Sequence, residues 1–441
     1  MKVKIESSSI VKPSYELGHC SPPFTTQCSP LSVFDNVNYC GHMAVIYAYR
    51  PPTSPNSVIK QGLERVLSIY REWAGRLGKN SEGENVIFLN DEGVRLVEAS
   101  VEGRLDPTMQ FKPSPVLLTL HPSLKGGEEL VQVQLTRFSC GSLVVGFTAH
   151  HLVADGQATS NFLVAWGKAC RGVDLGEPPM HDRTVFIPRD PPRIEYNHNG
   201  IEYLSKKLIN LHDRANNNVL AEDIVVTKVH FTLEFLSNLK NRASSLLGND
   251  KKYSTFESLL AHLWRCQMKA RGIEGNKTTQ IRISVNGRTR LNPRIPNNYF
   301  GNLVLWAFPK SKVKDLLLEQ LPYAAKVIHD AVSNLNGDYF QSFIDYASTE
   351  LKEDSSNNLA SSVCLFHSVL GPNLEVYSWL GFPFYGLDFG CGSPYMFMPS
   401  YLPTEDSVFL IPSFMGDGSI DAFIPLYKDH VERFMQNCYV L

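Results

Sequence analysis

His151-Leu-Val-Ala-Asp155-Gly156 decides the reading of this chain, because of what stands on either side of it. Upstream runs Ser142-Leu-Val-Val-Gly-Phe-Thr-Ala149, short, apolar and β-branched, which predicts a buried strand. Downstream, Ala158 to Arg171 carries Phe162, Leu163, Ala165, Trp166 and Ala169 at helical spacing, with Gly172 as the stop. A histidine in the turn from a strand to a helix is held by rigid elements and can face a cleft. Asp155, at the helix start, can cap backbone N–H groups or pair with a distant cation. The layout suits a general base with a supporting carboxylate. The plain alternative is that one of 13 histidines is structural, since His and Asp recur at this spacing by chance. No Gly-x-Ser-x-Gly accompanies the stretch. A catalytic His151 would therefore activate a nucleophile on the substrate and not an enzyme serine.

The 441 residues are enough for two domains with full cores. An apolar content of 43% and a charged content of 20% are ordinary for a globular protein. A net charge of −2 gives no sign of nucleic-acid or membrane-surface binding. The nine cysteines are odd in number, scattered and without a Cys-x-x-Cys pair, so free thiols are expected and neither a zinc site nor a disulfide framework. The N-terminal stretch lacks the apolar core of a signal peptide, and no run approaches membrane-spanning length. A cytoplasmic protein is the expectation.

Strand-like and helix-like segments alternate through the first 175 or so residues: strands at Ala44–Tyr49, Val86–Leu89, Val94–Glu98, Leu130–Thr136 and Leu143–Thr148, and a helix at Ser57–Tyr70. That alternation predicts an α/β architecture with a mixed sheet. Residues 176–222 turn proline-rich and then polar, as a long crossover would. Beyond it, Val225–Leu233, Ile281–Val285 and Leu303–Phe308 read as strands. Ser254–Ala270, Leu317–Leu335 and Asp338–Leu351 read as helices. The tail holds two strands around a Gly-Asp-Gly turn at 416–418 and a closing helix at Asp429–Cys438.

Several of these stretches together resemble one family. His150-His-Leu-Val-Ala-Asp-Gly156 is similar to the HxxxD motif of the plant BAHD acyl-CoA-dependent acyltransferases. Asp388-Phe-Gly-Cys-Gly392 is similar to their DFGWG signature, with Cys391 in place of the tryptophan. Tyr299-Phe-Gly-Asn302, the Asp182–Pro192 segment, the Phe256–Arg265 helix and Asn286-Gly-Arg-Thr-Arg-Leu291 match family segments in the same order. The match covers essentially the whole chain. It implies two chloramphenicol-acetyltransferase-like α/β domains, each a mixed sheet flanked by helices, with a channel at their interface. The expected division is 1–178, a crossover at 179–222, and 223–441; it is left open whether a segment near 360–400 exchanges into the N-terminal sheet.

By the same resemblance His151 is the general base toward the acceptor, and Asp155 pairs with an arginine, Arg288 or Arg290. The indole N–H of Trp379, in the pair Ser378-Trp379, stabilises the oxyanion formed on thioester attack. CoA binding is expected at Lys252, Ser254, Thr255 and Arg288, with Lys251 nearby and the start of the Ser254 helix offering N–H groups to phosphate. Asp388, Phe389, Gly390 and Gly392 are implied to be structural. Neither a metal nor a cofactor is expected, since acyl-CoA is a co-substrate.

Transferases of this family that use shikimate hold its carboxylate with an arginine fifteen residues before the Ser-Trp tryptophan. That position is Cys364 here, and the threonine two residues before the tryptophan becomes Tyr377. The guanidinium fork suited to a carboxylate is absent, which disfavours a shikimate ester. The segments Arg71–Leu77, Leu89–Gly93 and Cys140–Val145 are most similar to the branch acylating agmatine, putrescine or tryptamine with hydroxycinnamoyl groups. Glu375, beside Tyr377, is the candidate for a cationic acceptor, with His42 and Cys364 as further acceptor-binding candidates; Glu375 reads equally well as a solvated residue. The expected enzyme is a monomeric hydroxycinnamoyl-CoA amine N-acyltransferase. O-acylation of an uncharged alcohol or phenol is the alternative.

Overall fold

The computed structural model describes residues 1–15, 28–105, 113–123, 127–206, 223–248, 251–349, 359–363, 372–404 and 406–441. The chain divides into two compact units. Unit 1 comprises Met1–Pro188, Arg294–Leu303 and Phe382–Tyr401; unit 2 comprises Arg189–Pro293, Val304–Gly381 and Leu402–Leu441.

Unit 1 is built on a six-stranded sheet. Its strands are β1 (Lys4–Val11), β2 (His42–Tyr49), β3 (Val94–Val101), β4 (Val131–Phe138), β5 (Leu143–His150) and the late strand Met396–Pro399. The order is β1-β3-β4-β5-β2 with Met396–Pro399 at the edge, and only the β3/β4 pair is parallel. β5 is central and buried along seven of its eight residues, as a β-branched apolar run requires. Helices α1 (Val33–Asn36), α2 (Asn56–Leu67) and α3 (Gly156–Cys170) belong to this unit. α3 buries Phe162, Leu163, Trp166 and Ala169, a stripe whose larger side chains each stabilise the fold by roughly 1.5–3 kcal/mol. Gly172, at φ +67, follows its C-cap.

Unit 2 holds a seven-stranded sheet with β6 (Ile224–Phe231), β7 (Thr278–Asn286), β8 (Val304–Ala307), β9 (Leu374–Ser378), β10 (Ser407–Pro412) and β11 (Ile420–Tyr427). The order is β6-β11-β10-β9-β7-β8, with the short strand Lys310–Lys312 also on β7. β9 is parallel to both its neighbours. Among its helices are α4 (Leu233–Ala243), α5 (Thr255–Arg271), α6 (Leu321–Asn334), α7 (Gly337–Thr349) and α8 (Lys428–Asn437). The single helix expected over Leu317–Leu335 is two: Val313–Leu318 ends at an extended Glu319 (ψ 159°), and α6 starts afresh with Pro322 in its first turn. Proline has no N–H to continue the earlier helix but suits a new N-terminus.

The described cysteines are all free thiols. Among the described residues no helix is long and apolar enough to cross a membrane.

Candidate active site

His151 follows directly on β5, in the turn before α3, and its backbone N–H donates to the Gly41 carbonyl at 2.9 Å. Asp155 is the N-cap of α3: Oδ1 accepts the Ala158 N–H at 3.0 Å, and Oδ2 accepts the Leu303 N–H at 3.0 Å. Its carboxylate thus ties the start of the helix to a distant segment of the same unit. His42 starts β2 and is the register partner of His150. The two rings meet edge to face at 4.9 Å, and His42 Nε2 lies 2.9 Å from the Glu129 carbonyl.

The loop between His151 and Asp155 is pinned by residues to which the sequence assigned no role. Asp35 caps α1 in a reciprocal box with Ser32 and is fully buried. Its Oδ2 accepts from Arg183 Nη1 at 2.8 Å; its Oδ1 accepts from the Asn302 backbone N–H at 2.8 Å and from Asn302 Nδ2 at 2.9 Å. Asn302 Nδ2 in turn donates to the carbonyls of His151 (2.9 Å) and Leu152 (3.2 Å), and Arg183 Nη2 donates to that of Val153 (2.7 Å). Three successive carbonyls of the loop are held in this way. The sequence carried three signals: the Ser-x-x-Asp capping box at 32–35, and Arg183 in the Asp182–Pro192 segment and Asn302 in Tyr299-Phe-Gly-Asn302, both noted for their resemblance but given no role.

The electrostatics suit a neutral imidazole. Burial pushes the His151 pKa down, and Asp155, the residue's own carbonyl, the Asn302 side chain and Asp35 offset this only in part. His151 Nδ1 is sealed from solvent while the residue as a whole stays partly exposed. The neighbouring His150 is pushed down to about 4 by burial, and then by His42 and His151. A neutral imidazole with one shielded nitrogen is the form a general base takes.

In unit 2, Glu375 and Tyr377 lie on β9 and Trp379 directly follows it; their i, i+2 spacing puts them on one face. Tyr377 stacks on Phe409 with centroids 4.7 Å apart, and Trp379 meets the same ring edge-on at 5.2 Å. Glu375 is buried, not solvated. It is the register partner of Arg282, with Oε1 at 3.4 Å from Nη1, and that guanidinium lies 4.2 Å from the centre of the Trp306 ring. The carboxylate nominated for a cationic acceptor therefore already faces a cation. Cys364 lies outside the described residues.

Of the groups expected to meet CoA, Ser254 caps α5 and forms a capping box with Glu257, whose Oε2 accepts both the Ser254 N–H and hydroxyl at 2.7 Å. An acidic side chain thus already occupies that helix N-terminus, ahead of Thr255. Lys252 is exposed, with Nζ donating to Asn241 Oδ1 at 2.8 Å. Arg288 is fully buried, and its N–H donates to Asn286 Oδ1 at 3.0 Å. Arg290 spends one guanidinium nitrogen on the carbonyls of Val332 (2.9 Å) and Leu335 (2.6 Å). Among the described residues no cluster of His, Cys, Asp or Glu is arranged to hold a metal ion.

Asp388–Gly392 forms a tight turn in unit 1. Asp388 Oδ1 accepts the N–H groups of Gly390 and Gly392 (2.8 and 2.9 Å), while Oδ2 takes Arg171 at 3.0 Å. Both glycines have positive φ, +97 and +86. Phe389 packs on Trp166 and Tyr49. A side chain at Gly167 would place its Cβ 2.8 Å from the Asp388 backbone, so the turn needs that glycine to seat on α3. Arg171 closes α3 at the end opposite Asp155, and 15 residues of helix span roughly 22 Å. The turn stands well away from His151.

The sequence model of the Transferase family matches residues 1–441. Putrescine hydroxycinnamoyltransferase 3 of Oryza sativa subsp. japonica is 48% identical over 441 residues, covering 100% of this chain and 99% of that protein. Agmatine coumaroyltransferase-1 of Hordeum vulgare is 45% identical over 444 residues, covering 100% of both. The crystal structure of vinorine synthase superposes with a TM-score of 0.72 at 22% identity, covering 98% of this chain and 96% of that one, and so shares its fold.

Proposed function

This chain belongs to the Transferase family, the BAHD acyltransferases, and from that premise we propose that it is a hydroxycinnamoyl-CoA amine N-acyltransferase. The acyl group, for example p-coumaroyl, passes from the CoA thioester to the primary amine of agmatine, putrescine or an arylamine such as tryptamine. The product is a hydroxycinnamic acid amide. The full-length similarity to a putrescine and an agmatine acyltransferase supports the choice of acceptor class.

The observation that carries the mechanism is the setting of His151: its pKa is lowered by burial, its Nδ1 is shielded, and its loop is held by three carbonyl contacts. The neutral amine attacks the thioester carbonyl, and His151 Nε2 takes the proton that nitrogen sheds. The tetrahedral adduct collapses with cleavage of the C–S bond. The thiolate then recovers the proton from the imidazolium as free CoA. Asp155 favours the protonated ring that forms in between. No cofactor enters this scheme, and neither nucleic acid nor a membrane is a partner; the enzyme works as a monomer in the cytoplasm.

The test is an acceptor panel with p-coumaroyl-CoA: agmatine, putrescine, tryptamine, tyramine, spermidine and shikimate. Amide formation with agmatine or putrescine is expected. Turnover of shikimate alone would overturn the amine reading.

A further inference from the structure

Within unit 2, α7 fastens the crossover by two side chains three residues apart, neighbours on the helix surface. Ser342 Oγ accepts the backbone N–H groups of Glu195 and Tyr196 at 3.0 and 3.2 Å, and Tyr339 donates its hydroxyl to Glu202 Oε1 at 2.8 Å. His198 stands between them, with Nε2 at 3.0 Å from Ser342 Oγ and Nδ1 at 3.1 Å from Glu202 Oε2. His198, Glu202, Tyr339 and Ser342 are all buried. Counting hydrogens fixes where the protons are. A hydroxyl has one hydrogen and two lone pairs. Two N–H groups take the lone pairs of Ser342 Oγ, so its hydrogen goes to His198 Nε2, and the ring's own hydrogen sits on Nδ1 facing Glu202. The polarity is that of a hydrolase triad. With its lone pairs spent and its side chain fully buried, however, Ser342 is a lock and not a nucleophile.

What the lock holds is Glu202. Its carboxylate is tied to α7 directly through Tyr339 and, by way of His198, through Ser342. Its carbonyl accepts the Ser362 N–H at 2.8 Å, and the residues that follow it, Tyr203–Ser205, pair antiparallel with Leu359–Ser361. Ser362 stands two residues before Cys364, the position nominated above for acceptor binding. We propose that Glu202 is a positioning residue for the acceptor: locked to α7 by its side chain and bonded to Ser362 by its main chain, it sets where residues 359–363 stand, and through them how tightly the amine binds. Glu202 acts through that segment and not on the substrate. The inference rests on the acyl transfer to an amine proposed above and on the nomination of Cys364.

Two variants test it. Glu202→Gln turns an amide N–H toward a donor that needs an acceptor, in a buried setting, which endangers folding. Tyr339→Phe removes one donor to Glu202, keeps the ring against Tyr196 and His198, and is the safer probe. The direct readout is amide hydrogen exchange, followed by mass spectrometry on a peptide covering residues 359–363. That peptide should exchange about tenfold or more faster in Tyr339→Phe than in the native protein. In steady-state kinetics with the best amine of the acceptor panel, the acceptor KM should rise about fivefold or more, while kcat and the KM for p-coumaroyl-CoA stay within about twofold of native. Native exchange at 359–363 in Tyr339→Phe would overturn the lock. Faster exchange with a native acceptor KM would overturn its part in acceptor binding, as would an equal loss in kcat and in both KM values. Exchange is read without substrate, so its failure is distinguishable from failure of the acyl-transfer reading.

Discussion

Asp155 Oδ2 accepts the backbone N–H of Leu303 at 3.0 Å, joining the start of α3 to a segment 148 residues further along the chain. The same carboxylate caps the helix through Ala158. One side chain thereby fixes both the element that follows His151 and the strand-to-loop segment carrying Asn302.

Asp155→Ala should accordingly cost stability as well as rate. Losing the cap costs about 1 kcal/mol and orphaning the buried Leu303 N–H about 1–3 kcal/mol more. Thermal unfolding checks this, and Asp155→Asn, which keeps one acceptor oxygen, should lose less. Equal Tm values for Asp155→Ala and the native protein would remove Asp155 from the scaffold of the loop.

Trp379→Phe keeps an aromatic ring against Phe409 but removes the indole N–H together with part of the ring surface. Loss of one oxyanion donor should lower kcat by roughly 10²–10³ with an unchanged Tm. A kcat within twofold of native would assign Trp379 to packing alone.

The pH profile separates enzyme from substrate. The His151 pKa is held below its ordinary value of 6.5, so the base is already unprotonated above pH 7. An alkylamine with a pKa near 10.4 is only about 10⁻³ neutral at pH 7. With chemistry limiting, kcat/KM should therefore rise close to tenfold per unit from pH 7 to 9. A flat profile would count against an amine nucleophile. Stability should show the reverse limb. His150 and His151 have depressed folded pKa values, so the unfolded chain takes up more protons as pH drops below 6.5. The His150 contribution is complete above that pH and is lost on acidification toward about 4, with His151 acting in the same direction, which urea unfolding at pH 7 and pH 5 would detect.

Asp388→Ala tests the turn at the far end of α3. Two backbone N–H groups lose their acceptor and Arg171 loses a part-exposed partner, for a cost of about 1–3 kcal/mol. Neither kcat nor KM should move more than twofold. A selective loss of kcat at native Tm would place the turn in the chemistry.

What the sequence made legible follows from how each element is buried. β5 and α3 carry one-sided or continuous apolar patterns, and both were read to within a few residues. β1, Lys-Ile-Glu-Ser-Ser-Ser-Ile-Val, is exposed at seven of eight positions, so its place in the sheet comes from edge hydrogen bonds that no periodicity reports. β9 is only five residues long, too short a run for its alternation to stand out, and no strand was expected there; its Glu375 is buried against Arg282. At the site, His151 and Asp155 stand in one short motif and could be found there. Arg183 and Asn302 lie 148 and 267 residues from Asp35 along the chain, and only folding brings them to its carboxylate.

In the proposed mechanism one imidazole accepts the acceptor's proton during thioester attack. It is tested most directly by single-turnover acyl transfer from p-coumaroyl-CoA to agmatine, comparing the native enzyme with His151→Ala at pH 8 and scoring both free thiol and amide. The variant's rate should be lower by about 10²–10⁴, with native folding and native thioester affinity. A variant that forms amide at the native rate would contradict it.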